Sequence, residues 1–285
     1  MIKKGVHTLT WHGDFRRAFE EVAAVGFEYV EVLSLDLTRR AFGPAGTEGL
    51  DEYFSDAKKF SGLLSDHGLK LSSMYCDVAV IDDGAWPGEV EEMTRVCTFL
   101  ADIGAEQMVI GGGQKKAGGN PPDDYKKLAE RANEIGRLCK QHGLGLGFHP
   151  HWDTMIETEE QLDTLMRLTD PSLVFLAPDT AHLVLGLADP TSIFRKYIDR
   201  IGYVHFKDIR HAEGFPEFLP GEFEFMKEFV ELGEGVLARE FPKMLEMLKS
   251  AGYDGFVVVE QDYTELAPKE SAEVNFKYMT DVLGL

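Results

Sequence analysis

Four residues that can bind a divalent metal or move a proton each end an apolar run of the sequence. They are His149, Asp179, His205 and Glu260, and they close the runs LGLGFH, LVFLAPD, RIGYVH and GFVVVE. Such short apolar runs are typical of strands that are buried on both faces. In an α/β barrel the carboxyl ends of the strands meet on one face, where the chemistry takes place. The pattern therefore indicates a metal-dependent enzyme.

Three more side chains beside these four are suited to proton transfer. His151 follows His149 by two residues, and alternate residues of a strand share a face, so both imidazoles are expected at the barrel mouth. His182 follows Asp179 by three residues and would return toward it if a helix begins there, although Asp179 is also a favoured helix N-cap. Lys207 could stabilise an enolate or donate a proton. Together they favour general acid–base catalysis.

The carboxylates at the remaining strand ends allow several interpretations. Glu260 follows three valines, and a buried carboxylate without a partner is costly, so it needs a metal or a cation. Glu31 in the run YVEV is a weaker candidate for a site carboxylate at a strand end. It could orient another site residue, accept a hydrogen bond from a substrate hydroxyl, or form a plain salt bridge. Asp208 would face away from Lys207 and either orient a helix or pair with Arg210.

A donor set of His, Asp and Glu without cysteine restricts the choice of metal. It suits Mn²⁺ or Co²⁺ best, with Fe²⁺, Zn²⁺ and Mg²⁺ as alternatives. Such an ion can hold two adjacent oxygens of an α-hydroxyketone and acidify the C–H bond between them. Removal of that proton leads to isomerisation, to epimerisation or to loss of a β-hydroxyl.

The elements that must position these residues alternate between strand and helix eight times. Helical periodicity is clearest at 55–68, 123–143 and 239–255, each with a glycine stop. The pattern predicts a single (β/α)8 TIM barrel over residues 1–285. A doubly wound sheet is the main alternative, but the Gly-rich segment 111–119 follows the fourth strand and is a weak nucleotide motif. The predicted strands are 4–8, 27–33, 69–75, 106–110, 144–149, 173–178, 201–206 and 255–260.

One long irregular stretch, at about 209–235, interrupts this rhythm and is rich in phenylalanine. Loops of this length are often active-site lids or interaction surfaces. The segment is therefore a candidate lid, or a candidate interface for a homo-oligomer or a partner subunit.

Composition excludes several classes of partner. With 49 acidic and 29 basic residues the formal net charge is −20, which argues against nucleic acid and against an anionic membrane surface. We find neither a membrane-spanning run nor a signal-peptide pattern, and therefore expect a cytoplasmic protein. The three cysteines have no CxxC spacing, so neither a disulfide framework nor a zinc knuckle is expected.

The motifs DTAH, YVHFKD and VVVE, each at a strand end and in this order, resemble the xylose isomerase-like TIM-barrel superfamily. That group includes sugar epimerases, keto-inositol isomerases, inosose dehydratases and enzymes of the endonuclease IV type. The resemblance is greatest to the inosose (2-keto-myo-inositol) dehydratase type, which has an H-x-H-x-x-T segment, here 149–154. The epimerases and keto-inositol isomerases place a Glu where His149 stands. Pro150 departs from the dehydratase pattern, which has a histidine there.

The resemblance implies a role for each candidate residue. The metal ligands would be Asp179, His205 and Glu260, with His149 as a fourth ligand or as a base. Proton transfer would come from His151, His182, Lys207 and, in that second role, His149. We expect substrate contacts from Glu31, Gln114, Trp152 and Arg210.

The reaction predicted first is that of a metal-dependent lyase acting on a keto-cyclitol or keto-sugar. It would remove a proton α to the ketone and eliminate a β-leaving group. Alternatives are a ketose isomerase or epimerase of the same superfamily, and a metal-dependent lyase subunit acting on 3-keto C-glycosides. A non-catalytic sugar-binding barrel and a nuclease are weaker alternatives, the latter because of the negative charge.

Overall fold

A ring of eight parallel strands forms the centre of the molecule. The computed structural model describes residues 1–42, 53–211 and 226–285, apart from the side chains at positions 36 and 40. The eight strands pair in the order β6-β5-β4-β3-β2-β1-β10-β7. Parallel bridges from Leu176 to Ile201 and from Asp179 to His205 join β6 to β7 and close the ring. The predicted (β/α)8 barrel is confirmed. The strands are β1 Lys3–His7, β2 Tyr29–Leu33, β3 Lys70–Cys76, β4 Gln107–Ile110, β5 Gly145–Phe148, β6 Val174–Leu176, β7 Tyr203–Phe206, β8 Asp208–Ile209, β9 Phe229–Val230 and β10 Phe256–Val259.

Helices follow the strands and cover the outside of the ring. Those at the three clearest predicted positions begin within two residues of the expected start. They end earlier than predicted, before Gly68, Gly143 and Gly252, whose φ angles of 70°, 77° and 74° only glycine adopts readily. The helices are α1 Phe15–Val25, α2 Leu35–Phe42, α3 Ala57–Asp66, α4 Trp86–Ile103, α5 Pro122–Gln141, α6 Glu159–Leu168, α7 Thr180–Leu185, α8 Pro190–Tyr197, α9 Phe241–Ser250 and α10 Pro268–Lys277.

The inside of the barrel is closed by an apolar layer. Its buried members are Val109, Ala177, Tyr203, Phe256 and Val258. Alternate residues of a strand share a face. On β7, the residues that share a face with Tyr203 become polar toward the carboxyl end of the strand, and the same holds on β10 for the residues that share a face with Phe256. The apolar layer therefore forms the floor of a polar chamber at the carboxyl ends of the strands.

A second, larger core lies between the strands and the helices. It includes the three cysteines, all buried and with free thiols. The sulfur atoms of Cys97 on α4 and Cys139 on α5 lie 3.7 Å apart. This core fixes the helices against the ring and so holds the strand ends in place.

The loop after β7 is organised by one buried carboxylate. Asp208 accepts hydrogen bonds of 2.9–3.0 Å from four backbone N–H groups, those of Ile209, Gly233, Gly235 and Leu237. It thus orients a loop, while the side chain of Arg210 is exposed. Strands β8 and β9 pair antiparallel across this segment. The predicted lid at 209–235 falls largely on 212–225, outside the described residues.

Candidate active site

The four predicted metal ligands lie together at the carboxyl ends of β5, β6, β7 and β10. One nitrogen or oxygen atom from each of His149, Asp179, His205 and Glu260 lies within 4.8 Å of the others. Three of these side chains are fully buried and Glu260 is 8% exposed. The strand-end pattern of the sequence therefore identified a cluster whose members stand far apart in the chain.

His205 occupies the centre of this cluster. Its Nε2 lies 2.5 Å from Glu31 Oε2, while its Nδ1 lies 2.9 Å from His149 Nδ1 and 3.0 Å from Glu260 Oε2. Burial alone would lower the pKa of His205, but the carboxylates of Glu31 and Glu260 raise that pKa well above its ordinary value. In the absence of a metal, His205 thus serves as the cation between two acids.

Several buried polar atoms of the cluster have no hydrogen-bond partner. They include His149 Nε2 and Asp179 Oδ2. The other oxygen of Asp179 accepts a 2.8 Å hydrogen bond from the backbone N–H of His182 and caps α7, so the capping role leaves Oδ2 available to a metal. Burial raises the pKa of Asp179 to about 7, against the effect of nearby Lys207. Because unpartnered buried polar atoms are rare, this nitrogen and oxygen donor set fits a divalent metal ion.

A buried lysine neutralises part of the negative charge. The ammonium of Lys207 lies 2.6 Å from Asp262, 3.4 Å from Glu260 and 3.8 Å from Asp179, and 3.2 Å from His182 Nε2. Burial would lower the pKa of Lys207, but these carboxylates raise it above its usual range. Asp262 was not predicted, although it follows Glu260 by two residues, the same spacing that pointed to His151.

His151 and His182 lie side by side next to the ligand cluster. Their ring centroids are 3.7 Å apart, and His151 Nδ1 lies 2.6 Å from the carbonyl oxygen of Trp152. Burial is the main cause that lowers the pKa of each histidine. Both rings are therefore neutral at neutral pH. In the first turn of α7 the backbone N–H of His182 donates to Asp179, whereas the imidazole lies beside Lys207.

The four residues expected to contact substrate occupy different surroundings. Glu31 is fully buried, and Trp152 is half-buried against the apolar cluster that contains Phe229. Gln114 is exposed and lines a cavity of about 450 Å³ together with Asp77 and Thr154, among others. Arg210 is exposed. Their contacts with a substrate stay predictions.

Two residues that sequence reasoning passed over face the ligand cluster from the other strands. His7 ends β1, and its ring lies 6.5 Å from that of His205. Tyr75 on β3 lies 5.2 Å, ring to ring, from His149. The signal for His7 was the same strand-end position that singled out the four ligands. A tyrosine inside a strand carries no comparable signal.

This geometry agrees with comparisons to known proteins. The model of the xylose isomerase-like TIM barrel family matches residues 19–282. The chain belongs to this family. An inosose dehydratase of Bacillus cereus (strain AH820) is 33% identical to it, over 100% of this chain and 98% of the relative. The predicted resemblance is confirmed, and this member of the family is an enzyme of the lyase or isomerase type.

Solved structures of the same fold support the architecture. The probable 3-DHS dehydratase AsbF of Bacillus anthracis superposes with a TM-score of 0.78 at 18% identity, covering 98% of this chain and 99% of that one. The IolI protein, solved with a bound zinc atom, gives a TM-score of 0.77 at 18% identity, with coverages of 99% and 98%. Within the described residues no helix is both long and apolar enough to cross a membrane.

Proposed function

We propose that this xylose isomerase-like barrel is a divalent-metal-dependent lyase of the dehydratase type. It removes a proton α to a ketone and eliminates a β-leaving group from a keto-cyclitol or keto-sugar. The observation that carries the proposal is the pair of adjacent neutral imidazoles, His151 and His182, beside a four-residue metal-ligand cluster. The inosose dehydratase relative supports the choice of a keto-cyclitol.

The metal would be held by Asp179, His205, Glu260 and His149. Once bound, it would act as a Lewis acid that polarises the ketone and so acidifies the neighbouring C–H bond. The donor set suits Mn²⁺ or Co²⁺ best. Relatives of the fold have been solved with zinc and with magnesium, so metal identity is a quantity to measure.

His151 is the residue best prepared to accept the substrate proton. The carbonyl oxygen of Trp152, 2.6 Å from Nδ1, can only accept a hydrogen bond, so Nδ1 carries the ring hydrogen. The lone pair of the neutral ring is then on Nε2. Because burial lowers the pKa of His151, this nitrogen is unprotonated at neutral pH and can act as a general base.

His182 is held so that it donates a hydrogen bond, whereas His151 accepts one. Lys207 Nζ lies 3.2 Å from His182 Nε2, and an ammonium can only donate, so the ring hydrogen of His182 is on Nδ1. That Nδ1–H is buried and has no partner. It can donate a hydrogen bond to the departing hydroxyl, with the positive charge of Lys207 on the other side of the ring. The two neighbouring histidines thus provide one acceptor and one donor.

The first test is the metal content of protein purified without chelators. We expect about one divalent ion per chain in the wild type, because the donor set forms one site. Glu260→Gln should lose the ion and turnover while keeping the fold by circular dichroism. The matched control is Glu265→Gln, at an exposed position that follows the same strand. A wild type that takes up no metal even after reconstitution would overturn the proposal, as would a fully active Glu260→Gln.

The reaction itself can be followed with 2-keto-myo-inositol in deuterated water. Elimination predicts a product lighter by one water, detected by mass spectrometry and NMR. Deuterium incorporation or stereochemical inversion without loss of water would replace the lyase with an isomerase or epimerase. If keto-inositols do not react, 3-keto C-glycosides are the next substrates to test.

A further inference from the structure

Glu31 reaches the ligand cluster from the opposite side of the barrel. It lies on β2, it is 0% exposed, and its Oε2 is 2.5 Å from His205 Nε2 on β7. Its other oxygen is buried without a hydrogen-bond partner. A carboxylate in such surroundings is costly unless it is paired, so the contact with His205 decides where this side chain can lie.

The sheet is locally irregular at this residue. The register between β2 and β3 shifts between Val30 and Glu31, so that Val30 pairs with Leu71 and Glu31 with Ser73. Ser72 is the extra residue, and its hydroxyl lies 2.9 Å from Val30 O. Bulges of this kind redirect side chains and are common beside active sites. Here the bulge coincides with the one carboxylate of β2 that reaches His205.

The contact with Glu31 determines which nitrogen of His205 can bind a metal. Both ring nitrogens face a carboxylate, Nε2 that of Glu31 and Nδ1 that of Glu260. Glu31 is not one of the four clustered donors, so its carboxylate still accepts from Nε2 when a metal takes up the oxygen of Glu260, and Nε2 then keeps the ring hydrogen. In the neutral ring the lone pair is then on Nδ1, the nitrogen that lies among the donor atoms of His149 and Glu260. The imidazole is thus held between a hydrogen-bond acceptor on one side and the metal-ligand cluster on the other.

We propose that Glu31 is a positioning residue for the metal. It holds His205 as the Nε2–H tautomer, makes Nδ1 the ligand atom and increases the basicity of that atom. The inference rests on the proposed metal site, though not on the reaction that the site performs. A plain ion pair of the barrel core would instead affect stability and leave metal affinity unchanged.

The test is the dissociation constant for Mn²⁺ and Co²⁺, measured on metal-free protein by competition with a chromophoric chelator. Glu31→Ala should bind each ion about 10- to 100-fold more weakly, the range expected when a hydrogen-bond partner of a ligating histidine is removed. Glu31→Gln should recover part of this loss, because its amide oxygen can still accept from Nε2–H. Glu28→Gln, at an exposed position just before β2, is the matched control and should bind as the wild type does.

The outcomes separate this inference from the proposed function. If the wild type binds metal and a folded Glu31→Ala binds it equally well, the positioning role is wrong and the metal site stands. If the wild type binds no metal, the proposed function itself fails. Thermal unfolding of the metal-free variants shows whether each one is folded.

Should Glu31→Ala not fold, the tautomer can be read directly. Nitrogen-15 NMR of zinc-loaded wild type with labelled histidine distinguishes Nε2–H from Nδ1–H, and the His205 signals are those that disappear in His205→Asn. We expect the hydrogen on Nε2. A hydrogen on Nδ1 would overturn the inference without any variant at Glu31.

Discussion

The two halves of the barrel mouth differ in what they bring to the site. Strands β5, β6, β7 and β10 each end at or near one of the four side chains of the proposed metal site. Strands β1 to β4 bring one buried carboxylate, Glu31, and the rings of His7 and Tyr75. One half therefore supplies the proposed ligands and is called the ligand half, and the other, the enclosing half, supplies groups that would orient or enclose them.

The Gly-rich segment after β4 shows how the second half encloses the site. A Cβ atom at Gly111 would lie 2.1 Å from the hydroxyl oxygen of Tyr75, and one at Gly112 would lie 2.0 Å from Thr154 Oγ1. Neither distance is compatible with a side chain. Gly111 thus permits close packing on Tyr75, which in turn contacts His149 ring to edge, and Gly112 permits close packing on Thr154. This packing accounts for these two glycines without a phosphate ligand.

The ligand half concentrates charge, and Lys207→Met should therefore give the largest effect on metal-free stability. Asp179, Glu260 and Asp262 all lie within 3.8 Å of the ammonium. Removing it leaves carboxylates without a compensating cation, at a cost of about 3–5 kcal/mol in the free energy of unfolding. Bound metal should restore more stability to this variant than to the wild type.

Urea unfolding with and without Mn²⁺ measures both quantities. Lys126→Met removes an exposed lysine on α5 and should change stability by less than about 0.5 kcal/mol. If the free energy of unfolding falls by the same small amount in both variants, the contrast between the ligand half and the enclosing half is wrong.

Metal binding should also depend on pH, and the dependence should come from the ligand half. Asp179, with a pKa of about 7 in the metal-free chain, must be deprotonated to bind a metal ion. Affinity should therefore rise by about tenfold per pH unit as pH approaches 7 from below, because one proton is displaced. Because His205 has a raised pKa and must also lose a proton to bind a metal, the metal affinity should continue to increase at higher pH.

Calorimetry in two buffers of different ionisation enthalpy counts the protons released on metal binding. A release of at least about one proton per ion near pH 6 is expected. A metal affinity that is constant from about pH 6 to pH 8, with no proton release, would contradict the raised pKa of buried Asp179.

The clustering of the four proposed ligands was predictable because each obeys a local rule, a polar residue at the end of an apolar run, and the barrel topology brings such ends together. The same rule applied to His7 at the end of β1. It also applied to Asp262, which follows Glu260 by two residues, but neither residue was predicted. The role of Glu31 could not be predicted in this way. Its partner His205 lies 174 positions away, and a bulge in the neighbouring strand accompanies the contact.

The smallest expected effect concerns the enclosing half at its exposed rim. Gln114 lines the cavity of about 450 Å³ after β4, and its predicted contact with substrate would be one hydrogen bond at an exposed position. Such a bond contributes about 0.5–1.5 kcal/mol, so Gln114→Ala should raise KM about 2- to 10-fold and leave kcat and stability unchanged. Gln141→Ala, exposed at the end of α5, is the control for steady-state kinetics. A fall in kcat at unchanged KM would instead mean that Gln114 takes part in the reaction. The proposed division into a ligand half and an enclosing half would then be wrong.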